Sequence, residues 1–134
     1  MATWNKFQSW AENMVEVANL GTDQFVIALT NTAPVATNSV LADLTQISYT
    51  NLSSRNLTTA SSSQTGGTYT LTFNDLVLTA SGSVGPFRYV VVYDDTPTSP
   101  ADPLVGWWDY GSSITMANGE TFTIDFTGAA ITLS

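Results

Sequence analysis

Three aspartates in the second half of the chain carry the side chains best suited to holding a metal ion. Asp94 and Asp95 follow a strongly apolar run, and Asp102 comes a little later in a segment with three prolines. Carboxylate oxygens are ligands that Ca²⁺ prefers, but this spacing matches no EF-hand loop. Because aspartates in a proline-rich segment are typical of turns, we predict turn-forming residues and no bound metal, with a calcium site as the alternative.

The side chains that most enzymes use to move protons or attack a substrate are absent. The sequence contains no histidine and no cysteine, which removes the usual general bases and nucleophile pairs. Serine is abundant, yet no Gly-x-Ser-x-Gly elbow occurs, and the scattered acidic residues do not favour a glycosidase pair. We therefore predict that the protein is not an enzyme and has neither catalytic residues nor a cofactor.

The string Trp107-Trp108-Asp109-Tyr110 is the most unusual in the sequence. Side chains alternate along a strand, so Trp107 and Trp108 should point to opposite faces. One tryptophan then faces away from the core unless the sheet is covered on both sides. The favoured hypothesis is burial, and the alternatives are a subunit contact, where tryptophan often carries binding energy, and an aromatic platform for a sugar.

An amphipathic helix is predicted over residues 3–19, with Thr3 as its N-cap and Gly21 just beyond its end. Apolar residues at three- and four-residue spacing form one stripe. The stripe contains Trp4, Phe7, Ala11, Met14 and Ala18, and Trp10 and Val17 widen it. We expect it to pack on the protein's own sheet. Its heavy aromatic load leaves packing on a neighbouring subunit as the alternative.

Residues 23–134 are predicted to form a β domain after this helix. A short helical turn is expected within residues 40–47, with a short strand as the alternative. Residues 49–67 are rich in serine and threonine and show little periodicity, so we predict a mobile loop that can include one short strand near Leu57. Without regular alternation of strands and helices, the pattern predicts a single domain over residues 1–134 with an antiparallel sandwich or jelly-roll-like fold. The predicted strands are 24–30, 69–73 with 76–78 as its continuation, 87–93, 104–110, a hairpin of 113–116 and 121–126 around Asn118-Gly119, and 131–133.

The small number of charged residues and the negative net charge limit the classes of partner that the chain can bind. Charged residues make up 10% of the chain, the net charge is −8, and Lys6, Arg55 and Arg88 are the only bases. Three cations cannot neutralise many phosphates, so we predict no nucleic-acid partner. An anionic membrane would repel the chain, no apolar stretch is long enough to span a bilayer, and polar residues interrupt the N-terminal segment where a signal peptide needs a continuous apolar run.

Two long segments resemble a group of short structural proteins of tailed bacteriophages. They are MATWNKFQSWAENMVEVANLGTDQFVIALTNTAPVATNSVLADLTQI and, later, GPFRYVVVYDDTP…PLVGWWDYGSSITMANGETFTIDF. The resemblance covers nearly the whole chain except residues 49–67, and it implies a virion protein without catalytic residues. Among the virion roles, capsid decoration (cement) ranks first, and a tail, fibre or head-fibre component that binds a host glycan is the alternative.

A decoration protein acts by contact. We expect it to be made in the host cytoplasm, to bind only the assembled shell at the virion surface, and to stabilise that shell by mass action. The expected partners are the major capsid protein and further copies of the chain, in a homo-oligomer for which a trimer is slightly favoured over a dimer. The candidate interface residues are Trp4, Phe7, Trp10, Met14, Trp107 and Trp108.

Overall fold

The computed structural model describes residues 3–127 and 131–134, so residues 1–2 and 128–130 of the predicted domain lie outside the described residues. The protein is mainly β, with antiparallel sheets and one helix near the N-terminus, which confirms the predicted fold class and is consistent with a β sandwich. The elements are β1 (Trp4–Lys6), α1 (Trp10–Glu16), β2 (Phe25–Thr30), a 3₁₀ helix (Leu41–Asp43), β3 (Thr59–Thr65), β4 (Thr68–Phe73), β5 (Leu76–Thr79), β6 (Val84–Asp94), β7 (Leu104–Met116), β8 (Thr121–Ile124) and β9 (Ile131–Leu133).

One layer of the sandwich is a four-stranded antiparallel sheet with the strand order β1-β7-β6-β2. β6, predicted as a central strand, is an inner strand of this sheet, and all of its residues from 89 to 94 are buried. β2 is buried along its whole length. Because side chains of a strand point alternately to two faces, strands buried this completely need cover on both sides. The four-stranded sheet therefore separates two apolar clusters.

The larger cluster fills the space between this sheet and the second layer. The second layer contains a three-stranded sheet with the order β3-β4-β9 and a two-stranded sheet of β5 and β8. Apolar side chains from both layers meet there and are almost completely buried. Among them are Phe25, Ile27, Leu29, Val90 and Trp108 from the first layer and Leu71, Leu78, Ile124 and Ile131 from the second.

The smaller cluster lies on the outer face of the four-stranded sheet. The segment that follows β2 covers this face, because Leu41 and Leu44 pack against the cluster together with Trp107. The 3₁₀ helix confirms the helical turn predicted within residues 40–47. The buried members of the cluster are Phe7, Val26, Ala28, Val91, Tyr93 and Leu104.

The helix predicted over residues 3–19 is wrong at both ends. Residues 4–6 form β1, which pairs with β7, and α1 extends only over Trp10–Glu16. Ser9 occupies the N-cap position that was predicted for Thr3. Pairing with β7 satisfies backbone groups that an open sheet edge would leave without partners, and this tertiary contact outweighs the helical spacing of the apolar residues.

The segment 49–67, predicted as a mobile loop, contains a strand in its second half and forms hydrogen bonds to both layers. Its second half is β3, which pairs with β4. Its first half bonds to the edge of β2, where the backbone of Arg55 and of Leu57 makes hydrogen bonds of 2.9 Å. All seven side chains of β3 are exposed, so no apolar alternation marked this strand in the sequence.

Asn118-Gly119 lies in a turn, as predicted, but the strands beside it do not form a hairpin. β7 continues to Met116 and pairs with β6 and β1, whereas β8 pairs with β5. The turn bonds instead to Ala80, whose carbonyl accepts the Gly119 N–H at 2.8 Å. The chain therefore crosses here from one layer to the other, and β5 is a separate strand rather than a continuation of β4.

Candidate functional site

A groove runs between α1 and the three-stranded sheet, all three strands of which contribute lining residues, and we refer to it as the helix groove. It consists of two hollows of about 170 and 480 Å³ that share Met14 as a lining residue. The first hollow is lined mainly by Trp4, Lys6, Trp10, Met14 and Ile131, and the second mainly by Met14, Leu20, Ser62, Tyr69 and Leu133. Aromatic and aliphatic side chains thus share its walls with polar groups, among them Thr132 and Asn19.

Three of the six predicted interface residues meet in the helix groove. Trp4 and Met14 are half-buried there, and the Trp4 ring packs on the Trp108 ring with centroids 4.5 Å apart. Trp10 also lines the groove, but it is only 2% exposed and meets the Phe25 ring edge-on. The groove therefore leaves Trp4 and Met14 with surface that a partner can reach.

The other three predicted residues do not belong to the groove. Phe7 and Trp108 are 0% and 4% exposed, so in this fold they, like Trp10, serve the chain's own cores rather than a partner. Trp107 is half-buried on the outer face, where its ring lies 4.5 Å from that of Phe7. The interface hypothesis stays a prediction for Trp4, Met14 and Trp107.

Trp107 and Trp108 point to opposite faces of β7, and both faces are covered. Trp108 belongs to the larger cluster and Trp107 packs against the smaller one. A sugar platform needs an exposed, flat aromatic surface, and these two side chains do not provide one together. The favoured hypothesis of burial describes Trp108 fully and Trp107 in part.

The polar groups of the helix groove include the hydroxyl pair of Ser62 and Tyr69, 2.7 Å apart. Lys6 is exposed and forms no ion pair with any residue in the described ranges. The indole Nε1 of Trp10 is buried and has no hydrogen-bond acceptor among the described residues. The Trp10 nitrogen is enclosed by the protein, so of these two donors only Lys6 can reach a partner in the groove.

The three aspartates considered as calcium ligands do not form one group, because Asp94 has Asp23 as its acidic neighbour and Asp102 has Asp95. Asp94 is completely buried at the end of β6, and burial together with a hydrogen bond to Asp23 raises its pKa to about 8. Partial burial and a hydrogen bond to Asp95 also raise the pKa of Asp102. Within residues 3–127 and 131–134, no three acidic side chains are grouped as metal ligands, so the calcium alternative has no ligand set there.

Two of the three bases are engaged within the protein. Arg88 contacts both carboxylate oxygens of Asp109 at 2.8 and 3.1 Å, and these bonds, with the Gly111 N–H, hold the Asp109 pKa below its usual value. The Arg55 guanidinium lies 3.6 Å above the Tyr49 ring and donates to a β2 carbonyl at 2.6 Å. Lys6, the third base, lines the helix groove.

Sequence reasoning missed Tyr69, Leu133 and Asp23. Tyr69 and Leu133 are opposite each other in the register of β4 and β9, so they share a face. Each lies in a strand predicted correctly, but the pairing of the two strands was not predictable from local pattern. Asp23 meets Asp94 because β2 pairs with β6, and the sequence carries no signal that joins these two positions.

The single α-helix of the described ranges has seven residues. No helix in that part of the chain is long and apolar enough to cross a membrane. Comparisons with protein-family models, with curated proteins and with solved structures find no match for this chain.

Proposed function

We propose that this chain is a structural protein of a tailed-bacteriophage virion and acts as a capsid decoration (cement) protein. The observation that carries the proposal is the helix groove, a recess with large apolar side chains among its walls, on a small β sandwich that has few charged groups. The resemblance of the sequence to phage structural proteins supports the same role. The function is to hold neighbouring shell subunits together through protein–protein contacts.

The stabilising mechanism is mass action. A protein that binds the assembled shell but not its separated subunits lowers the free energy of the assembled state. The net charge of −8, with two of the three bases engaged internally, favours a basic surface on the major capsid protein. Charge then steers and orients the encounter, and apolar contacts supply most of the affinity.

The helix groove is the proposed contact surface. Met14 and Trp4 line it as half-buried side chains, and Leu133 remains 45% exposed in its second hollow. Val15, on the same helix as Met14, is 64% exposed. Large apolar side chains exposed beside a recess are typical of protein–protein contact sites.

Further copies of the chain are proposed partners as well. Decoration of a shell places copies around local symmetry axes, where closed rings satisfy identical contacts. A trimer is favoured slightly over a dimer. Analytical ultracentrifugation of the purified protein, alone and after release from particles, measures the oligomeric state directly.

The first experiment asks whether the protein is part of the particle. Virions produced by the phage that encodes the chain are purified, their proteins are identified by mass spectrometry, and the particle is imaged by cryo-electron microscopy. We expect the protein in mature particles, on the outside of the head. Its absence from purified particles would refute the proposal, and a position on the tail would refute the decoration role.

The second experiment tests the groove with two matched substitutions. Leu133→Glu places a charge in the groove, and Val77→Glu places the same charge on β5, at a side chain that is 52% exposed. We expect shells lacking the protein to retain the Val77 variant and to lose the Leu133 variant. Circular dichroism confirms that both fold, and equal retention would exclude the groove as the contact surface.

One observation favours the alternative of a tail or fibre component that binds a host glycan. The outer face of the three-stranded sheet carries hydroxyl side chains in register, with Ser63 opposite Thr70 and Thr70 opposite Thr132. Ser61 and Thr72 form a further hydroxyl pair at 2.6 Å. Binding of the purified protein to a glycan array or to host cell walls would favour this alternative over decoration.

A further inference from the structure

Asp94 is a carboxyl group buried without a counter-ion. It ends β6 and is 0% exposed. Its Oδ1 accepts the Thr96 N–H at 3.3 Å, while its Oδ2 is buried and has no donor among the described residues. An ionised carboxylate in such a place is strongly disfavoured, because burial removes the water that would stabilise its charge.

The nearest ionisable neighbours of Asp94 are acidic. Asp23, from the turn before β2, and Asp95, the next residue along the chain, both help to raise the pKa of Asp94. Asp23 already accepts the Asn19 N–H through its Oδ2 at 2.9 Å. Since two neighbouring carboxylates repel each other when both are ionised, the pair favours a state that keeps one proton.

No base of the described chain neutralises this pair. Arg55 contacts Tyr49 and a β2 carbonyl, Arg88 pairs with Asp109, and Lys6 lines the helix groove on β1. Protonation of Asp94 is therefore the simplest way to give its unpartnered oxygen a hydrogen that it can donate.

We propose that the buried Asp94 carboxyl group is protonated and neutral at neutral pH, with its otherwise unpartnered oxygen as a hydrogen-bond donor. This neutral group lies where the turn between α1 and β2 meets the end of β6. Backbone and side-chain bonds run beside it, from the Asp95 N–H to the Gln24 carbonyl at 2.9 Å and from the Gln24 N–H to Thr96 Oγ1 at 2.8 Å. Loss of the proton to solvent leaves two facing carboxylates and loosens this junction.

The direction of the pH dependence follows from linkage. Burial raises the Asp94 pKa from 3.8 to about 8 in the folded protein, so the folded state holds a proton that the unfolded state releases. The resulting stabilisation is fully present below the unfolded pKa and is lost as pH rises through the folded pKa. Within that window, one bound proton changes the folding equilibrium constant by up to about tenfold per pH unit.

The test compares the wild type with Asp94→Asn across pH 4 to about 10 by urea unfolding, since the amide is neutral and can donate to Asp23 at any pH. We expect the wild type to lose stability relative to the variant between pH 4 and about 8, and the difference to level off above that. Asp102→Asn separates the contribution of the second acid pair, and Glu12→Gln, an exposed change on α1, should reproduce the wild-type profile.

Infrared spectroscopy detects the protonation of a carboxyl group directly, and a purely structural role of Asp94 would not produce this signal. We expect the carbonyl stretch of a protonated carboxylic acid in the wild type at neutral pH, and its loss in Asp94→Asn. Absence of that band in the folded wild type would overturn the proposal. Strong stabilisation of the wild type by added Ca²⁺ at pH 9, without such stabilisation of the variant, would overturn it too, because the pair would then be a cation site.

Discussion

Gly106 marks the place where β1 lies closest to β7. A Cβ atom added at this position would collide with the Trp4 ring and would lie 2.6 Å from the Asn5 carbonyl oxygen. The Trp4 ring also packs on Trp108, a residue of the larger cluster. The missing side chain therefore allows the N-terminal strand to approach the sheet and to hold one wall of the helix groove.

We expect Gly106→Ala to lower the free energy of unfolding by about 1–3 kcal/mol, the range typical of overpacking. Urea denaturation measures this loss. Gly21→Ala is the matched control, because the nearest atom to its added Cβ is Ser62 Oγ at 3.4 Å, an ordinary contact. If both variants unfold at the same urea concentration, Trp4 does not hold the position that the structure gives it.

At the residue scale, the sequence predicts the sheet face to which a side chain points better than it predicts the residues that the side chain contacts. Strand alternation correctly places Trp107 and Trp108 on opposite faces. It does not reveal that residues after β2 cover the outer face, because Leu41 begins a 3₁₀ helix of only three residues and Leu44 is its C-cap, too short a segment for a long periodic pattern. Nor does it reveal Asp23 as the partner of Asp94, since that contact depends on pairing between strands far apart in the chain.

At the scale of elements, α1 serves the core mainly through Trp10, with Met14 packed against the edge of the larger cluster. Trp10 is 2% exposed and packs edge-on against Phe25 at 6.2 Å between centroids, whereas Val15 on the same helix is 64% exposed. The stripe predicted over residues 3–19 is thus divided between a strand and a short helix. Its apolar spacing was real, but backbone pairing with β7 decided the conformation of its first residues.

We expect Trp10→Ala to lower the free energy of unfolding by about 3–5 kcal/mol, as is typical of removing a large buried aromatic side chain. Val15→Ala removes a smaller, exposed side chain from the same helix and should change stability by less than about 0.5 kcal/mol. Thermal or urea unfolding of both variants measures the contrast. If Trp10→Ala lowers the free energy of unfolding only slightly, the Trp10 side chain is available for a subunit contact.

The β3–β4 hairpin depends on its turn rather than on side-chain burial. Gly66 and Gly67 both have positive φ, of 58° and 88°, as a two-residue type I′ turn requires. The side chains of β3 are all exposed, whereas β4 is also held by β9 and buries Leu71 and Phe73. Loss of the turn should therefore loosen β3 without unfolding the core.

We expect the double change Gly66→Ala and Gly67→Ala to raise hydrogen exchange in β3, because each left-handed non-glycine residue costs roughly 1–2 kcal/mol. Amides of the β2–β6 pair should keep their protection, since local and global opening differ in free energy. Residue-resolved exchange by NMR measures both regions in one sample. Equal loss of protection in both regions would show that the hairpin is part of the cooperative core.

At the scale of the whole molecule, fold class is readable from the sequence and strand pairing is not. Threonine-rich, alternating segments and the scarcity of helical pattern predict an antiparallel sandwich. Asn118-Gly119 correctly predicts a turn, but the turn bonds to Ala80 and sends the chain to the other layer. A local signal fixes the geometry of a turn, whereas the partner of each strand is chosen by burial of apolar faces across the whole domain.

The charge of the whole molecule gives a last prediction. With a net charge of −8 and only three bases, the folded chain brings like charges together, and their repulsion is screened as ionic strength rises. We therefore expect the thermal midpoint to increase between about 0.02 and 0.2 M NaCl, and differential scanning calorimetry measures it. Lys6→Gln adds to the imbalance and should strengthen this salt dependence, whereas Asp125→Asn, which removes an exposed negative charge, should weaken it. A midpoint that falls with salt in all three proteins would mean that attractive pairs such as Arg88–Asp109 outweigh the net repulsion.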